Sequence, residues 1–395
     1  MSSSAEASPT GEYVREPYLV AFEERALYKE TYAGHAGMVV LESQHLRPKG
    51  ARSNTVVISM HPIGGTQYLP MPAALARGGV PVICCNSRYP RNDSALIMEK
   101  VALDLGACVR HAREKLGYEK VVLLGWSGGG ALSAFYQSQA EHPSVSATPA
   151  GDPPDLTQAA LAPADGLMLI AAHTGRSSTL TEWLDPSILD EARPFERDPE
   201  LNLYDPRNPN QPAYTPEYLA RFRAAQIARN QRITDWALNE LEAGRRREGD
   251  AFERCFVVHG TMAEPRWLDA GIDPNERKSP GCFMGDPRTV NDGPAGLARF
   301  CTLRSWLSQW SYALSNADGP RALAQVSAPV FMLECGADDG CTPHHVERFW
   351  NAIGHADKER CNIPGATHYF FGQKDKCDQA ATAIIAWLAK KGFVA

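Results

Sequence analysis

The chain has 395 residues, of which 44% are hydrophobic, 22% are charged and 9% are aromatic. These proportions are close to globular averages, so they exclude a chain that is collagen-like, coiled coil or intrinsically disordered throughout. The formal net charge is −6, and no stripe of lysine and arginine is present, so we do not expect nucleic acid or an anionic membrane as a partner.

The first part of the chain alternates short apolar runs with helical patterns. The apolar runs of strand length cover residues 26–32, 38–44, 55–60, 80–85 and 120–124. Helical patterns, in which apolar residues recur every three or four positions, cover residues 68–76 and 95–115. Apolar strands separated by amphipathic helices are typical of βαβ units, whose parallel sheet is covered on both faces. We therefore predict an α/β protein with a mostly parallel central sheet flanked by helices.

The alternation stops near residue 173 and resumes near residue 326. A helix at 129–139 and a strand at 166–172 precede the break, whereas strands at 329–334 and 360–363 and a helix at 380–390 follow it. The segment between carries polar loops and two helical stretches, at 216–246 and 295–315. It holds five of the eight tryptophans, which are enough for a core of its own.

The sequence thus predicts three parts. Residues 1–25 form a disordered or extended N-terminal arm, residues 26–173 and 326–395 form the α/β core, and residues 174–325 form a large, mainly helical cap or lid. A cap over the sheet edge would enclose an apolar pocket, which suits a small or medium hydrophobic ligand.

The pentapeptide Gly125-Trp126-Ser127-Gly128-Gly129 lies between a predicted strand and a predicted helix. A serine on a sharp turn between a strand and a helix is lifted into solvent, and the flanking positions must be glycine because a side chain would collide with the neighbouring backbone. The N-terminus of the following helix adds positive potential beneath the serine. The pattern predicts that Ser127 is a catalytic nucleophile.

A serine nucleophile needs a general base and an acid that orients the base. Asp338 and Asp339 lie in the loop Gly336 to Pro343, which follows a predicted strand, and His368 follows the last predicted strand. Both loops come at carboxyl ends of strands, so we expect them at the same edge of the sheet as Ser127. The chain order of serine, aspartate and histidine is the one expected for this architecture.

In these three segments the sequence resembles the α/β-hydrolase superfamily, over about residues 25–173 and 326–390. The resemblance implies an α/β-hydrolase fold with His368 as the general base. In such enzymes the acid loop often reads G-x-x-D-x-x-x-P, which matches Asp339 between Gly336 and Pro343. Asp339 is therefore the predicted acid, and Asp338 is the alternative.

The developing oxyanion is expected to bind to backbone N–H groups. The resemblance implies an oxyanion loop after the strand at 55–60, where this chain reads His61-Pro62-Ile63-Gly64. Pro62 departs from the family's His-Gly pattern and has no N–H to donate. The predicted donors are therefore Gly128 and Ile63, with Gly64 as the substitute if the loop is shifted.

Further candidates are less specific. His61, Trp126 and Arg176 are possible substrate-binding residues, and Arg176 could either receive a substrate carboxylate or form a surface ion pair. Cys341, His344 and His345 lack a second ligand pair, so the sequence predicts no metal and no cofactor.

The leading functional hypothesis is a serine hydrolase that cleaves a carboxylic ester of a small or medium hydrophobic or aromatic substrate through an acyl-enzyme. The same triad could cleave a thioester, an amide or a carbon–carbon bond of a β-diketone-type substrate. A catalytically inactive protein that binds a hydrophobic ligand is the alternative from another class, and it would not need the triad.

Compartment and assembly are inferred from composition alone. The first residues lack the basic and apolar regions of a signal peptide, and no apolar stretch is long enough to span a membrane. The ten cysteines show no C-x-x-C pair, so reduced thiols and a cytoplasmic location are expected. A homo-oligomer is possible.

Overall fold

The computed structural model describes residues 10–24, 29–50 and 53–394. Its strands are β1 (Tyr13–Glu23), β2 (Met38–Pro48), β3 (Thr55–His61), β4 (Val82–Asn86), β5 (Lys120–Trp126), β6 (Gly166–Ile170), β7 (Cys255–Val257), β8 (Phe300–Thr302), β9 (Val330–Cys335) and β10 (Lys358–Ile363). Its helices are α1 (Pro70–Arg77), α2 (Met98–Glu114), α3 (Gly128–Glu141), α4 (Arg176–Trp183), α5 (Pro216–Glu248), α6 (Pro287–Asp292), α7 (Leu303–Ser305), α8 (Gly319–Leu323), α9 (Pro343–Ala352) and α10 (Lys374–Lys390).

Eight strands form one sheet in the order β1-β2-β4-β3-β5-β6-β9-β10. β2 runs antiparallel to both of its neighbours, and the pairs from β4 to β10 are all parallel. The predicted α/β class with a mostly parallel sheet is confirmed. Parallel neighbours bring the carboxyl ends of β3, β5, β6, β9 and β10 to the same edge.

Helices cover both faces of the sheet, as the apolar strands require. Along β5, Val121 and Leu123 are buried on the face that α2 and α3 cover. Val122 and Leu124 are buried on the opposite face, against α1 and α10. This alternation explains why β5 reads as a continuous apolar run: both faces of the strand are core.

The N-terminal boundary of the core differs from the prediction. The sequence predicts a disordered or extended arm over residues 1–25, outside the core, but β1 pairs with β2 along its whole length. As an edge strand, β1 has many exposed side chains, so its sequence lacks the strong apolar signal of the inner strands. In the predicted strand at 26–32, residues 25–28 lie outside the described part, and residues 30–37 form bends and turns.

The predicted cap between residues 174 and 325 has its own apolar core. The 33-residue helix α5 buries Ile233 and Ala237 against Trp306 and Trp310, which lie in a single π-helical turn after α7. β7 and β8 add a two-stranded antiparallel ribbon.

The predicted cap reaches residue 325, but α8 packs with the core helices. Ala322 and Leu323 of α8 are buried with Ala134 of α3 and Phe349 of α9, so α8 belongs to the core. Its five residues are too few to show a helical period in the sequence, which explains the misplaced boundary.

Of the helices in the described ranges, none combines the length and hydrophobicity needed to cross a bilayer.

Candidate active site

One edge of the sheet collects the chemically active side chains. His61 ends β3, Ser127 follows β5, and His173 comes shortly after β6. Asp338 follows β9 and His368 follows β10. The carboxyl edge of a parallel sheet is the usual place for a ligand site, and these side chains make it the candidate active site.

Ser127 occupies the sharp turn that the sequence predicts between β5 and α3. Its backbone has φ of 52° and ψ of −122°, a conformation that non-glycine residues rarely adopt. The residue precedes the first turn of α3 and is only half-buried. The hydroxyl therefore stands at the positive end of the helix dipole, within reach of a ligand.

Two glycines permit this turn because backbone atoms approach them closely. A Cβ atom on Gly125 would lie 2.4 Å from the carbonyl oxygen of Gly129, and a Cβ atom on Gly129 would lie 2.6 Å from that of Met60. Neither backbone oxygen can move without disrupting β3 or α3. The glycines at the first and last positions of the pentapeptide are thus required by contact distances within the fold.

We expect Gly125→Ala to displace Ser127, because the new methyl group requires the start of α3 to move. A displacement near 1 Å lowers the reactivity of a positioned group by about 10²-fold, and overpacking costs about 1–3 kcal/mol of stability. The loss of reactivity is measured by the rate at which a fluorophosphonate labels Ser127. The loss of stability is measured by the midpoint of thermal unfolding. Gly354→Ala is the matched control, since its Cβ atom would have an ordinary contact of 3.6 Å. Equal labelling of both variants would contradict this account.

His368 is paired with Asp338. The Asp338 Oδ2 atom lies 2.8 Å from His368 Nδ1, and Oδ1 accepts the N–H groups of Gly340 and Cys341, each at 2.8 Å. Asp338 is fully buried. Three hydrogen bonds therefore hold a buried carboxylate against the imidazole, which is the geometry that fixes the tautomer of a general base.

The prediction that Asp339 orients His368 is wrong. The backbone of Asp338 donates to the carbonyl of Cys335, the last residue of β9, and this tight turn brings Asp338 rather than its neighbour against the imidazole. Asp339 instead accepts the indole N–H of Trp267 on its carbonyl oxygen, at 2.7 Å. Burial and the charge of Asp338 raise the pKa of Asp339 to about 6.

The environment of His368 favours its protonated form. Burial alone would lower its pKa, but the charge of Asp338, its hydrogen bond and the charge of Asp339 outweigh burial and raise the pKa above the ordinary value. The ring centroid lies 5.8 Å from that of Phe283 and 4.5 Å from that of Tyr369. His368 can therefore accept a proton within a largely aromatic surrounding.

Cys341 lies beside the paired residues. Its sulfur lies within 4.8 Å of a ring nitrogen of His368 and a carboxylate oxygen of Asp338. Burial and the charge of Asp338 raise the thiol pKa well above its usual range, so the thiol stays neutral. The described residues show no hydrogen bond between Ser127 and His368, a contact that often tightens only when substrate binds.

The N–H groups of the predicted oxyanion loop already have acceptors within the protein. Pro62 has no N–H, and Ile63 donates to His61 Nδ1 at 3.3 Å. Gly64 donates to the His61 carbonyl at 2.8 Å, and Gly65 donates to Asn86 Oδ1 at 3.1 Å. The prediction of Ile63 as an oxyanion donor is therefore corrected, and Gly64 does not replace it.

Gly128, the other predicted donor, is better placed. It is the first residue of α3, so its N–H has no acceptor within the helix. No other described group accepts this N–H. Gly128 can therefore donate to an oxygen that approaches Ser127.

Two histidines lie over Gly128. A Cβ atom built there would be 2.9 Å from His61 Nε2 and 3.2 Å from His173 Nε2. Burial and the charge of Arg176 lower the pKa of both, to about 3 for His173, so both rings are neutral. No motif in the sequence indicates His173, although its place just after β6 is a usable signal.

The strand order, the antiparallel second strand and the turn at Ser127 after β5 together define the architecture. The chain has the α/β-hydrolase fold. It is similar to solved structures of a siderophore hydrolase from Aspergillus fumigatus (14% identity, 93% of this chain and 98% of that chain covered, TM-score 0.49), an esterase domain from Rhodothermus marinus (11%, 95% and 98%, 0.46) and a monoacylglycerol lipase from Paleococcus ferrophilus (14%, 95% and 99%, 0.43). A scan against protein-family models and a search of curated proteins give no match.

Trp126 is not placed to touch a substrate. Its side chain is 1% exposed and belongs to the core beneath the sheet, because it precedes Ser127 on a strand whose side chains alternate. The indole N–H donates to the carbonyl of His368 at 3.1 Å, and the ring meets Phe370 edge-on. Trp126 thus positions the histidine loop of this α/β-hydrolase fold.

Arg176 is neither a free carboxylate receptor nor a surface ion pair. Its guanidinium is buried, lies 2.5 Å from Asp93, donates to Gln309 at 3.0 Å and stacks 4.2 Å above Trp310. These contacts join the start of the cap to the core. The sequence could not show this, because the partners are 83 and 133 positions away.

The segment predicted to be the cap contacts the loop after β9 directly. Asn275 donates to the carbonyl of Asp338 at 2.7 Å, and Trp267 donates to that of Asp339. Phe283, also from the cap, stacks near His368 and packs against Trp183. Side chains of this segment therefore lie beside the candidate site, and no local pattern in the sequence identified them.

Two groups of described residues bring three potential metal ligands together. Asp338, Cys341 and His368 are the residues already described, in which the thiol is neutral. In the second group, Glu182, His344 and His345, the Arg266 guanidinium forms an ion pair with Glu182 and lies 2.5 Å from His344 Nδ1. That cluster already contains a cation, so we assign no metal to it. The predicted absence of metal and cofactor stays a prediction.

Proposed function

We propose that the protein is a serine hydrolase that cleaves a carboxylic ester of a small or medium hydrophobic or aromatic substrate. The observation that carries the proposal is the buried His368–Asp338 pair at the sheet edge where Ser127 stands on a strained turn. Because one fold serves many reactions, the proposal rests on these side chains and not on the fold.

In the proposed reaction, Ser127 Oγ attacks the ester carbonyl carbon while His368 Nε2 accepts the hydroxyl proton. Asp338 stabilises the resulting imidazolium through Nδ1, and the Gly128 N–H donates to the oxyanion. Collapse of the tetrahedral intermediate breaks the bond to the alkoxide oxygen, which takes the proton from His368. Water then attacks the acyl-enzyme by the same route and regenerates Ser127.

Aromatic side chains support a hydrophobic substrate. Phe283 and Tyr369 lie against His368, and Phe371, 5.6 Å from Tyr369 between ring centroids, is 69% exposed. An aromatic or aliphatic group next to the scissile bond would cover these rings and exclude water from the imidazole. Thioesters, amides and β-diketone-type substrates require the same triad and are tested in parallel.

A fluorophosphonate reaction tests the proposal. We expect one phosphonyl adduct per folded chain, located by peptide mass spectrometry on Ser127, because only an activated serine attacks the phosphorus centre at a useful rate. The same protein unfolded before treatment is the control and should remain unlabelled.

Panels of p-nitrophenyl esters, thioesters, anilides and β-diketones then identify the bond that is cleaved. A folded protein without an adduct, or with an adduct at another serine, would contradict the proposed function. Failure to label, together with saturable binding of a hydrophobic ester, would favour the inactive ligand-binding protein instead.

A further inference from the structure

Apart from Gly128, the described loop from Pro62 to Gly65 offers no backbone donor to an oxyanion at Ser127. Stabilisation of a tetrahedral oxyanion usually involves at least two preorganised donors. Gly128 supplies one, whereas the loop from Pro62 to Gly65 supplies none, because each of its N–H groups already has an acceptor within the protein. The side chains that lie over Gly128 are therefore the candidates for a second donor.

The proton position on His61 follows from its local contact. The Ile63 N–H donates to Nδ1, so Nδ1 is unprotonated and the neutral ring carries its proton on Nε2. Burial and the charge of Arg176, with smaller effects of His173 and His368, lower the pKa of His61 well below its ordinary value. The ring is consequently a neutral donor whose Nε2–H has no acceptor among the described residues.

The position of Nε2 is bounded by Gly128. A Cβ atom lies about 2.5 Å from the amide nitrogen of its own residue, so the 2.9 Å contact leaves His61 Nε2 at most about 5.4 Å from the Gly128 nitrogen. Two donors that each lie about 2.9 Å from one oxygen can be about 5.8 Å apart. His61 and Gly128 can therefore share a single acceptor.

We propose that the His61 Nε2–H is the second hydrogen-bond donor of the oxyanion hole and replaces the backbone amide that Pro62 and Ile63 do not provide. The inference rests on the proposed function and identifies a further catalytic residue for that reaction. His173 occupies a similar position, but in the described part of the chain no N–H group donates to it, so its proton is not fixed on Nε2.

The test compares His61→Phe, which keeps a planar ring without a donor, with His61→Gln, which offers an amide N–H. With p-nitrophenyl butyrate we expect His61→Phe to lower kcat by about 10²- to 10³-fold with little change in KM, as for loss of one oxyanion donor. His61→Gln should recover at least about tenfold of that loss. Inhibition by a trifluoromethyl ketone, whose adduct carries an oxyanion, should weaken in parallel with kcat.

Circular dichroism and thermal unfolding confirm that each variant is folded. His45→Gln is the matched control: His45 is a buried imidazole that contacts Tyr118 and lies outside the site, so its kinetics should not change. Wild-type kcat in His61→Phe, a loss that glutamine does not recover, or a larger loss in His173→Phe would each overturn the inference. Absence of any labelling or turnover in the wild type would overturn the proposed function as well, which separates the two failures.

Discussion

Replacing Ser127 with alanine is expected to lower kcat for ester hydrolysis by about 10⁴- to 10⁶-fold, because no other group can form the acyl-enzyme. The expected residual rate reflects binding and the oxyanion donors alone. Active-site titration of the wild type and steady-state kinetics of both proteins measure the effect. The variant should fold normally, since alanine removes only a half-buried hydroxyl.

Ser138→Ala provides the matched control for that experiment. Ser138 lies on the same helix α3, is buried and donates to the carbonyl of Phe135 at 2.9 Å, so its loss leaves the site intact. We expect wild-type kcat for this variant. A Ser127→Ala protein that retains more than about a tenth of wild-type activity would exclude a covalent route through Ser127.

The second large effect distinguishes two neighbouring carboxylates. Asp338→Asn is expected to lower kcat by about 10³- to 10⁴-fold, because an asparagine can hold His368 in the wrong tautomer and cannot stabilise the imidazolium. Asp339→Asn is the matched control and should lose less than about tenfold, since the Asp339 side chain does not hydrogen-bond to His368. Larger loss in Asp339→Asn than in Asp338→Asn would contradict the assignment.

The pH profile gives an independent readout of the same pair. In the proposed reaction neutral His368 is the base, and its pKa is raised, so kcat/KM of the wild type should fall as pH decreases through a value above about 6.5. Asparagine at position 338 removes the anion that stabilises the imidazolium, which lowers this pKa. The acid limb of the residual activity should therefore move to lower pH. An unmoved or upward-shifted limb would mean that Asp338 does not control the protonation of His368.

The layout of the core could be predicted because it depends on local patterns. The continuous apolar run of β5 and the amphipathic period of α2 report burial directly, since hydrophobic side chains at those spacings must be covered. The turn at Ser127 could be located because only glycine tolerates the backbone contacts beside Gly125 and Gly129. In contrast, β1 and α8 lack a strong periodic signal, being an exposed edge strand and a five-residue helix.

Which side chains contact each other around Ser127 depends on tertiary contacts that cannot be read from the order of residues in the chain. Whether Asp338 or Asp339 faces His368 depends on one tight turn after β9. The side chains of the two adjacent residues point in different directions there, and only that of Asp338 contacts the imidazole. The use of the Ile63 N–H within its own loop depends on the rotamer of His61. The contact of Phe283 with His368 depends on how the cap packs on the core.

The sequence by itself therefore determined the α/β core, because the core follows from periodicity. It also predicted a large insertion, the turn at Ser127 from local steric requirements, and His368 from its place after the last strand and from the family resemblance. Only the tertiary structure decided which carboxylate contacts His368, the placement of His61 and His173 over Gly128, and the insertion residues beside His368. These are relations between side chains distant in the chain. The packing of the folded chain sets the positions of these side chains, and small differences in side-chain direction decide which atoms come into contact.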